Sequence, residues 1–408
     1  MFRILHTSDI HLGVETGTAN FSRIREHAAF FDWLLETIAV EKIDGFVISG
    51  DVYDTSNAPL DAQHMFFEFL ARLGNMDKKI GVVVTGGNHD GPARLSLPGR
   101  LARHIRIVGD LPRNAGAVDL DRLIVPLEAG DAPRVVCLAF PFLRAGDLPT
   151  DAAEAAMAAL WRKAADRASE LYPAARLIGT AHLFAAGGDL SDTERPALVG
   201  GSESVSIASF PAELAYLALG HLHRPQQVRG PILARYAGSV LPMSSAERHY
   251  KHSVVVVDIP DEGDATARTI EIPRRVPFLR IPNTGEPEDL AATLTALRAL
   301  KIEPAAAGFA PFVEVMVRLD EPVADLGARV RDALAGKPVR LLRINAVTAN
   351  DANSIAEAAA AGVTVDDMTP ERIFKQIYAD RFGAEPTEGM QKAFDRVLAD
   401  VKTAGVTP

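Results

Sequence analysis

A chain that repeatedly ends a short aliphatic run on aspartate, asparagine or histidine builds sheets whose strand ends carry its chemistry. Phe2–Leu5 leads to Asp9-Ile10-His11, Gly45–Ile48 to Gly50-Asp51-Val52-Tyr53-Asp54, and Ile80–Val84 to Gly87-Asn88-His89-Asp90. Later, Leu177–Ile178 leads to His182, and Leu214–Leu219 to Gly220-His221-Leu222-His223. Val135–Phe140 and Ser253–Ile259 are two further runs of the same kind, each short enough to be one buried strand. Between the early runs lie segments with helical spacing: Ala28, Phe31, Leu34, Leu35 and Ile38 within 22–41, and Met65, Phe66, Phe69, Leu70 and Leu73 within 61–74. This alternation predicts an α/β domain with helices covering its sheets. Function in such folds gathers in the loops at strand ends.

The 408 residues exceed one ordinary core, so two or three units are expected. Hydrophobic content of 48% with 24% charged residues is that of a soluble globular protein. No apolar run approaches the roughly 20 residues that span a bilayer. The start, Met1-Phe2-Arg3-Ile4-Leu5-His6, enters a strand-like run without the architecture of a signal peptide, which points to the cytoplasm. The single cysteine, Cys137, cannot form an internal disulfide, and its apolar run reads as a buried, inert thiol. A net charge of −10 weighs against simple tight binding of nucleic acid, because Lys and Arg supply most nonspecific affinity. Metal ions at the site or a partner protein would have to supply the positive charge.

Domain boundaries are expected near residues 270 and 350. Within the second unit Phe278–Ile281, Phe312–Leu319 and Val339–Val347 read as strands, and Pro287–Leu300 and Pro322–Leu334 as helices, a small α+β domain. Ala352–Gly362 reads as linker or helix. Thr369–Val401 offers two amphipathic helices, through Ile373, Phe374, Ile377 and Tyr378, then Met390, Phe394, Val397, Leu398 and Val401. Such faces dock on their own core or in a partner's groove.

Taken singly, the polar clusters are ordinary. Gly-Asp after a strand is usually a turn, and a lone histidine such as His182 is usually structural. Together they are not, since five of the eleven histidines (His11, His89, His182, His221 and His223) share these strand ends with Asp9, Asp51 and Asn88. Mixed imidazole and carboxylate donors suit manganese, iron or zinc better than calcium. Two divalent ions about 3.5–4 Å apart clamp the attacking and leaving oxygens of a phosphoryl displacement. Such a pair needs a bridging carboxylate, and Asp51 is the candidate.

The order Asp9-x-His11, Gly50-Asp51-x-x-Asp54, Gly87-Asn88-His89-Asp90, His182, Gly220-His221-x-His223 resembles the calcineurin-like metallophosphoesterases. Three flanking stretches resemble, within that superfamily, the SbcD-type nuclease subunits of the SbcCD DNA-repair complex. They are Gly50–Ser56, Ser191-Asp192-Thr193-Glu194-Arg195 with Val199-Gly200-Gly201, and Tyr236–Pro242. The resemblance implies an α/β, four-layer α-β-β-α sandwich (residues 1–270), a smaller α+β capping domain (271–350) and a C-terminal helical tail (351–408) that binds SbcC. It implies two Mn2+ ions, one on Asp9, His11, Asp51 and His223, the other on Asp51, Asn88, His182 and His221. His89 would then be the catalytic non-ligand that stabilises the transition state or protonates the leaving oxygen. Asp54, where some relatives carry histidine, would orient His89 or a nearby water. Ala181 before His182 departs from the glycine of many relatives and leaves the ligand intact. The implied activity is a manganese-dependent DNA nuclease, a 3′–5′ exonuclease on double-strand ends and an endonuclease on hairpins. It would act with the SbcC ATPase, as a homodimer through the helix near 61–74.

Outside these clusters His6, His27, His64 and His104 read as structural or exposed, and His249 and His252 beside Lys251 as a solvated loop. The loop Gly187–Gly201 reads as a substrate-side element, Asp90 as a loop-fixing hydrogen-bond acceptor. No Gly-x-x-x-x-Gly-Lys-Ser/Thr phosphate loop is present, so ATP dependence would come from the partner. Two other functions compete: a small-molecule metallophosphodiesterase, favoured by the acidic charge, and a metal-free scaffold, opposed by the intact ligand set.

Overall fold

The structure, a computed structural model, describes residues 1–98, 104–128, 130, 132–144, 146–149, 152–189, 204–284, 286–303, 306, 308–321 and 323–348. Beyond these it describes 374, 375, 377–379, 382–387, 389–394 and 398. The chain divides into two compact units, Met1–Pro277 with Ala307–Phe309, and Phe278–Ala306 with Ala310–Pro408.

In the first unit Phe2–Thr7 pairs in parallel with Gly45–Ser49 and antiparallel with Ser253–Ile259. Gly81–Thr85 and Ile105–Val108 extend the sheet in parallel on one side, and Thr266–Glu271 closes the other antiparallel. A second sheet runs Val135–Ala139, Arg176–His182, Tyr216–Gly220 and Ala234–Tyr236 in parallel. Ile124–Pro126 and Gln226–Val228 flank it antiparallel.

Alternation along each strand explains why these runs are apolar throughout. Ile4, Val47 and Val83 of the first sheet meet Val135, Cys137, Ile178 and Tyr216 of the second in one buried layer. Their sequence neighbours Leu5, Phe46, Ile48 and Val82 face outward onto Phe31, Leu34, Phe66 and Phe69 of the helices Ile24–Val40 and Leu60–Gly74. On the far side Val136, Leu138 and Leu217 pack on Met157, Trp161 and Ala168 of the helix Ala153–Leu171. The result is the four-layer α-β-β-α arrangement. That last helix escaped the sequence reading because its buried face is largely alanine (Ala153, Ala164, Ala165, Ala168), which gives little periodic contrast.

Among the described residues no helix is long and apolar enough to cross a membrane. His6 and His27 are buried, as expected, and burial pushes both down to about 3. His252 corrects the reading: His249 and Lys251 are exposed, but His252 is buried and its Nδ1 meets the Ser239 carbonyl at 2.8 Å.

In the second unit Phe312–Leu319 pairs in parallel with Phe278–Ile281, Glu288–Asp289 and Arg340–Thr348. Ile281, Val313 and Val315 pack on Leu294, Leu297 and Val330 of the helices Leu290–Ala299 and Leu326–Ala333. The first helix starts later than Pro287 because Glu288 and Asp289 are drawn into the sheet. The Asp289 carboxylate then caps the helix, accepting the Ala292 N–H at 2.9 Å. In the tail, residues 374, 375, 377–379 and 389–394 are helical, and the Phe374 and Phe394 rings stack at 4.2 Å. The linker reading of Ala352–Gly362 lies outside the described residues.

Trp161 is buried, stacks on Phe140 at 4.0 Å and meets Phe210 edge-on at 5.0 Å. Trp161→Ala is expected to cost about 3–5 kcal/mol, the usual range for emptying such a core position. Chemical denaturation checks this; a loss under about 1 kcal/mol would mean that the outer helix is not integral to the core.

Candidate metal centre

The strand ends meet on a strained backbone. Asp9 and His11 have φ of 50°, Asp51 of 49° and His221 of 106°, the left-handed region that L-residues avoid. Such conformations cost about 1–3 kcal/mol each and persist only where the surroundings impose them. Here Asp9 N–H donates to the Gly50 carbonyl at 3.1 Å, and the N–H groups of Ile10 and His11 donate to the Asp51 carbonyl at 2.8 and 3.1 Å. From the helix Ile24–Val40, His27 Nε2 donates to the Ile10 carbonyl at 2.7 Å. His27 stays neutral when buried, so it makes this contact without importing a charge.

The loop carrying Asn88 and His89 is held through Asp90. Its carboxylate accepts N–H bonds from Gly87 at 2.9 Å, Val52 at 3.2 Å and Tyr53 at 2.9 Å. Burial and the neighbouring Asp51 raise the Asp90 carboxyl to about 6. Arg144 Nη2 donates to the carbonyls of Asp90 at 3.0 Å and Gly87 at 3.3 Å. Asp90 thus fixes the loop, whereas Arg144 had no motif to mark it.

Three glycines make the approach possible. A Cβ on Gly50 would strike the His182 ring, one on Gly87 the Asp51 carboxylate, and one on Gly220 the Ser49 carbonyl.

The side chains converge in overlapping groups. Asp9, His11 and His223 offer donor atoms within 4.8 Å of one another, as do Asp9, Asp51 and His182. Asn88 Oδ1 lies 3.0 Å from His182 Nε2 and 3.2 Å from His221 Nδ1. Asp51 Oδ2 stands between the groups, 3.8 Å from His11 Nε2 and 3.3 Å from His182 Nε2. His11, Asp51 and His89 form a third group within 4.8 Å, but His89 is exposed while the other two are buried. Its Nδ1 donates to the Asp54 carbonyl at 2.7 Å, and its backbone N–H donates to Asp51 Oδ1 at 2.9 Å. The Asp54 carboxylate faces His11 Nδ1 at 3.3 Å instead. Asp54 therefore holds His89 through its main-chain carbonyl, while its carboxylate faces His11.

These residues fit a divalent cation. Asp9 Oδ2, His11 Nε2 and His221 Nε2 are buried without a hydrogen-bond partner, as protein polar atoms rarely are. The cluster also draws positive charge to itself. Burial opposes ionisation of Asp51, yet His182, His11 and His89 hold its carboxyl well below the usual range. Burial likewise opposes protonation of His182, but Asp51 and Asp9 lift it to about 9. Asp9 is raised, chiefly by burial, and His221 is lowered to about 3 by burial and the nearby His182. Cations bound between the carboxylates would meet the same demand.

Two imidazoles are turned inward from behind. His182 Nδ1 donates to the Ser49 carbonyl at 2.9 Å, and His223 Nδ1 to Glu247 Oε1 at 3.0 Å. Glu247 was missed because it lies 24 positions beyond His223 in a segment without a motif. Of the loop Gly187–Gly201, residues 190–201 lie outside the described residues.

Residues 2–225 match the family described as Calcineurin-like phosphoesterase. Residues 274–382 match SbcD_C, the Type 5 capsule protein repressor C-terminal domain. The SbcD component of the nuclease SbcCD from Rhodobacter capsulatus is 38% identical over 390 residues, 91% of this chain and 93% of that protein. The chain belongs to the SbcD family of calcineurin-like phosphoesterases. The SbcD protein of Bacillus subtilis is 35% identical, over 68% of this chain and 71% of its own. That of Escherichia coli K12 is 28% identical, over 97% and 98%. As an SbcD-family phosphoesterase this chain is a metal-dependent phosphodiesterase.

Gly87→Ala is expected to fold yet lose about 100-fold in turnover, the scale of an ångström-sized misplacement of catalytic groups. Hydrolysis of bis-p-nitrophenyl phosphate measures it; wild-type turnover would show that Asp51 tolerates displacement.

Proposed function

We propose that this chain is a manganese-dependent DNA nuclease that works with two divalent ions. Asp9, His11, Asp51 and His223 would hold one ion, and Asp51, Asn88, His182 and His221 the other. When bound, such ions polarise the phosphodiester and lower the pKa of water enough to supply a nucleophile at neutral pH. The observation that supports this reading is the convergence of seven donors from five strand ends, with Asp51 Oδ2 between His11 and His182.

The protein's own part in the reaction falls to His89. With Nδ1–H given to the Asp54 carbonyl, Nε2 is the nitrogen left to act, and exposure lets it reach substrate. Protonated there, it neutralises charge on the phosphoryl group and delivers the proton to the leaving 3′-oxygen, general-acid catalysis worth about 100- to 10,000-fold. Asp51 aligns this group by accepting the His89 N–H while it joins the two donor sets.

The substrate and partner readings follow the named relatives, which are SbcD components of the nuclease SbcCD. The chain would cut duplex ends as a 3′–5′ exonuclease and hairpins as an endonuclease. It would act as a homodimer, bound through residues 351–408 to the SbcC ATPase. A partner that supplies basic surface also reconciles a net charge of −10 with a polyanionic substrate.

Cleavage of end-labelled linear duplex DNA with manganese, beside bis-p-nitrophenyl phosphate, is the direct test. His89→Ala should keep both ions and lose about 100-fold or more of turnover on either substrate; loss of metal would make His89 a ligand. Asp51→Ala should lose activity together with stoichiometric manganese, read by metal analysis; two retained ions would remove it from the shared position. Hydrolysis of the small ester alone, unchanged by SbcC and ATP, would favour a small-molecule phosphodiesterase.

A further inference from the structure

The imidazoles on the two sides of Asp51 are backed differently. His182 leans on a neutral group, the Ser49 carbonyl. His223 leans on a carboxylate, Glu247, whose side chain is completely buried. Glu247 sits in the turn Ser245–His249, and its second oxygen accepts the Met243 N–H at 2.8 Å. Burying a carboxylate is costly unless it is paired. Stapling the turn requires only an acceptor oxygen, which glutamine provides equally well. The charge faces the imidazole of His223, with His252 within its field and the Ser239 hydroxyl on its second oxygen.

We infer that Glu247 is a positioning residue that turns His223 Nε2 toward Asp9 and His11 and makes this side the tighter of the two ion sites. The inference rests on the two-ion reading above. A carboxylate behind an imidazole fixes the ring's tautomer and raises its basicity as a ligand. The two donor sets already differ in charge. Asp9, His11 and His223 join Asp51 with one further carboxylate among them, whereas Asn88, His182 and His221 join it with none. Glu247 widens that difference, so the first manganese ion enters beside Asp9 and the second beside Asn88.

Manganese titration of the full-length chain, by calorimetry with electron paramagnetic resonance of the free ion, tests this. Wild type should take up two ions in a tight and a looser step. Glu247→Gln preserves the shape and the acceptor for the turn but removes the charge. It should weaken the tight step by about 10- to 100-fold, leaving the looser step and the melting temperature of the metal-free chain unchanged. Glu247→Asp, which keeps the charge but draws it back from Nδ1, should weaken the same step. It serves as the test if the glutamine variant does not fold. Wild-type affinity in these variants, or weakening of the looser step alone, overturns the role of Glu247. Equal weakening of both steps with a lowered metal-free melting temperature overturns it too, as a folding effect. A wild-type chain that binds fewer than two ions would instead overturn the two-ion reading.

Discussion

Three strand ends can meet only if one of them offers acceptors to the others, and Asp51 is that one. Its carbonyl takes the N–H groups of Ile10 and His11, which docks the Asp9 turn onto the Gly50 turn. One carboxylate oxygen takes the N–H of His89 and so docks the Asn88 loop. The other faces His11 and His182, which brings in the second sheet. Removing this carboxylate would undo backbone contacts as well as ligand contacts. The left-handed conformation of Asp51 and the bare Cα of Gly87 beneath it are both conditions for this arrangement.

The rest of the sandwich can be read as support for that junction. Parallel strands of two sheets present their C-terminal ends on one edge, where α/β proteins place their sites. The buried layer of Ile4, Val47, Val83, Ile178 and Tyr216 sets the sheets face to face and fixes how far His182 and His221 stand from Asp51. Packing at interior density transmits small shifts rather than absorbing them. Strain at Asp9, His11, Asp51 and His221 is thus offset by burial elsewhere, a common economy of functional sites.

Charge follows the same logic. The strand-end edge concentrates carboxylates and imidazoles, and Asp51 and Asp9 lift His182 to about 9 against its burial. Away from that edge the buried histidines go the other way, His6 and His27 being held near 3 by burial. One residue type therefore serves as a neutral hydrogen-bonding strut in the core and as an ion-responsive group at the strand ends. Environment alone separates the two uses.

Much of this was legible from residue order. Continuous apolar runs of strand length, each leading to Asp, Asn or His, specify a sheet with chemistry at its ends, because a strand buried on both faces has no polar alternation to show. Helices with Phe and Leu on one face, such as Ile24–Val40, were equally plain; the alanine-faced Ala153–Leu171 was not, since alanine marks burial only by what packs against it. The orientation of the converging donors was beyond the sequence's reach. Which His nitrogen faces inward depends on the Ser49 carbonyl and on Glu247, partners 133 and 24 positions away. That Asp54 serves His89 through its carbonyl and His11 through its carboxylate depends on a loop geometry no local pattern encodes. The burial of His252 is of the same kind. Residue order determined which donors exist and at which strand ends they stand, because strand periodicity is local. Only the tertiary structure decided their orientation and charge, because hydrogen-bond partners and desolvation are properties of neighbours in space.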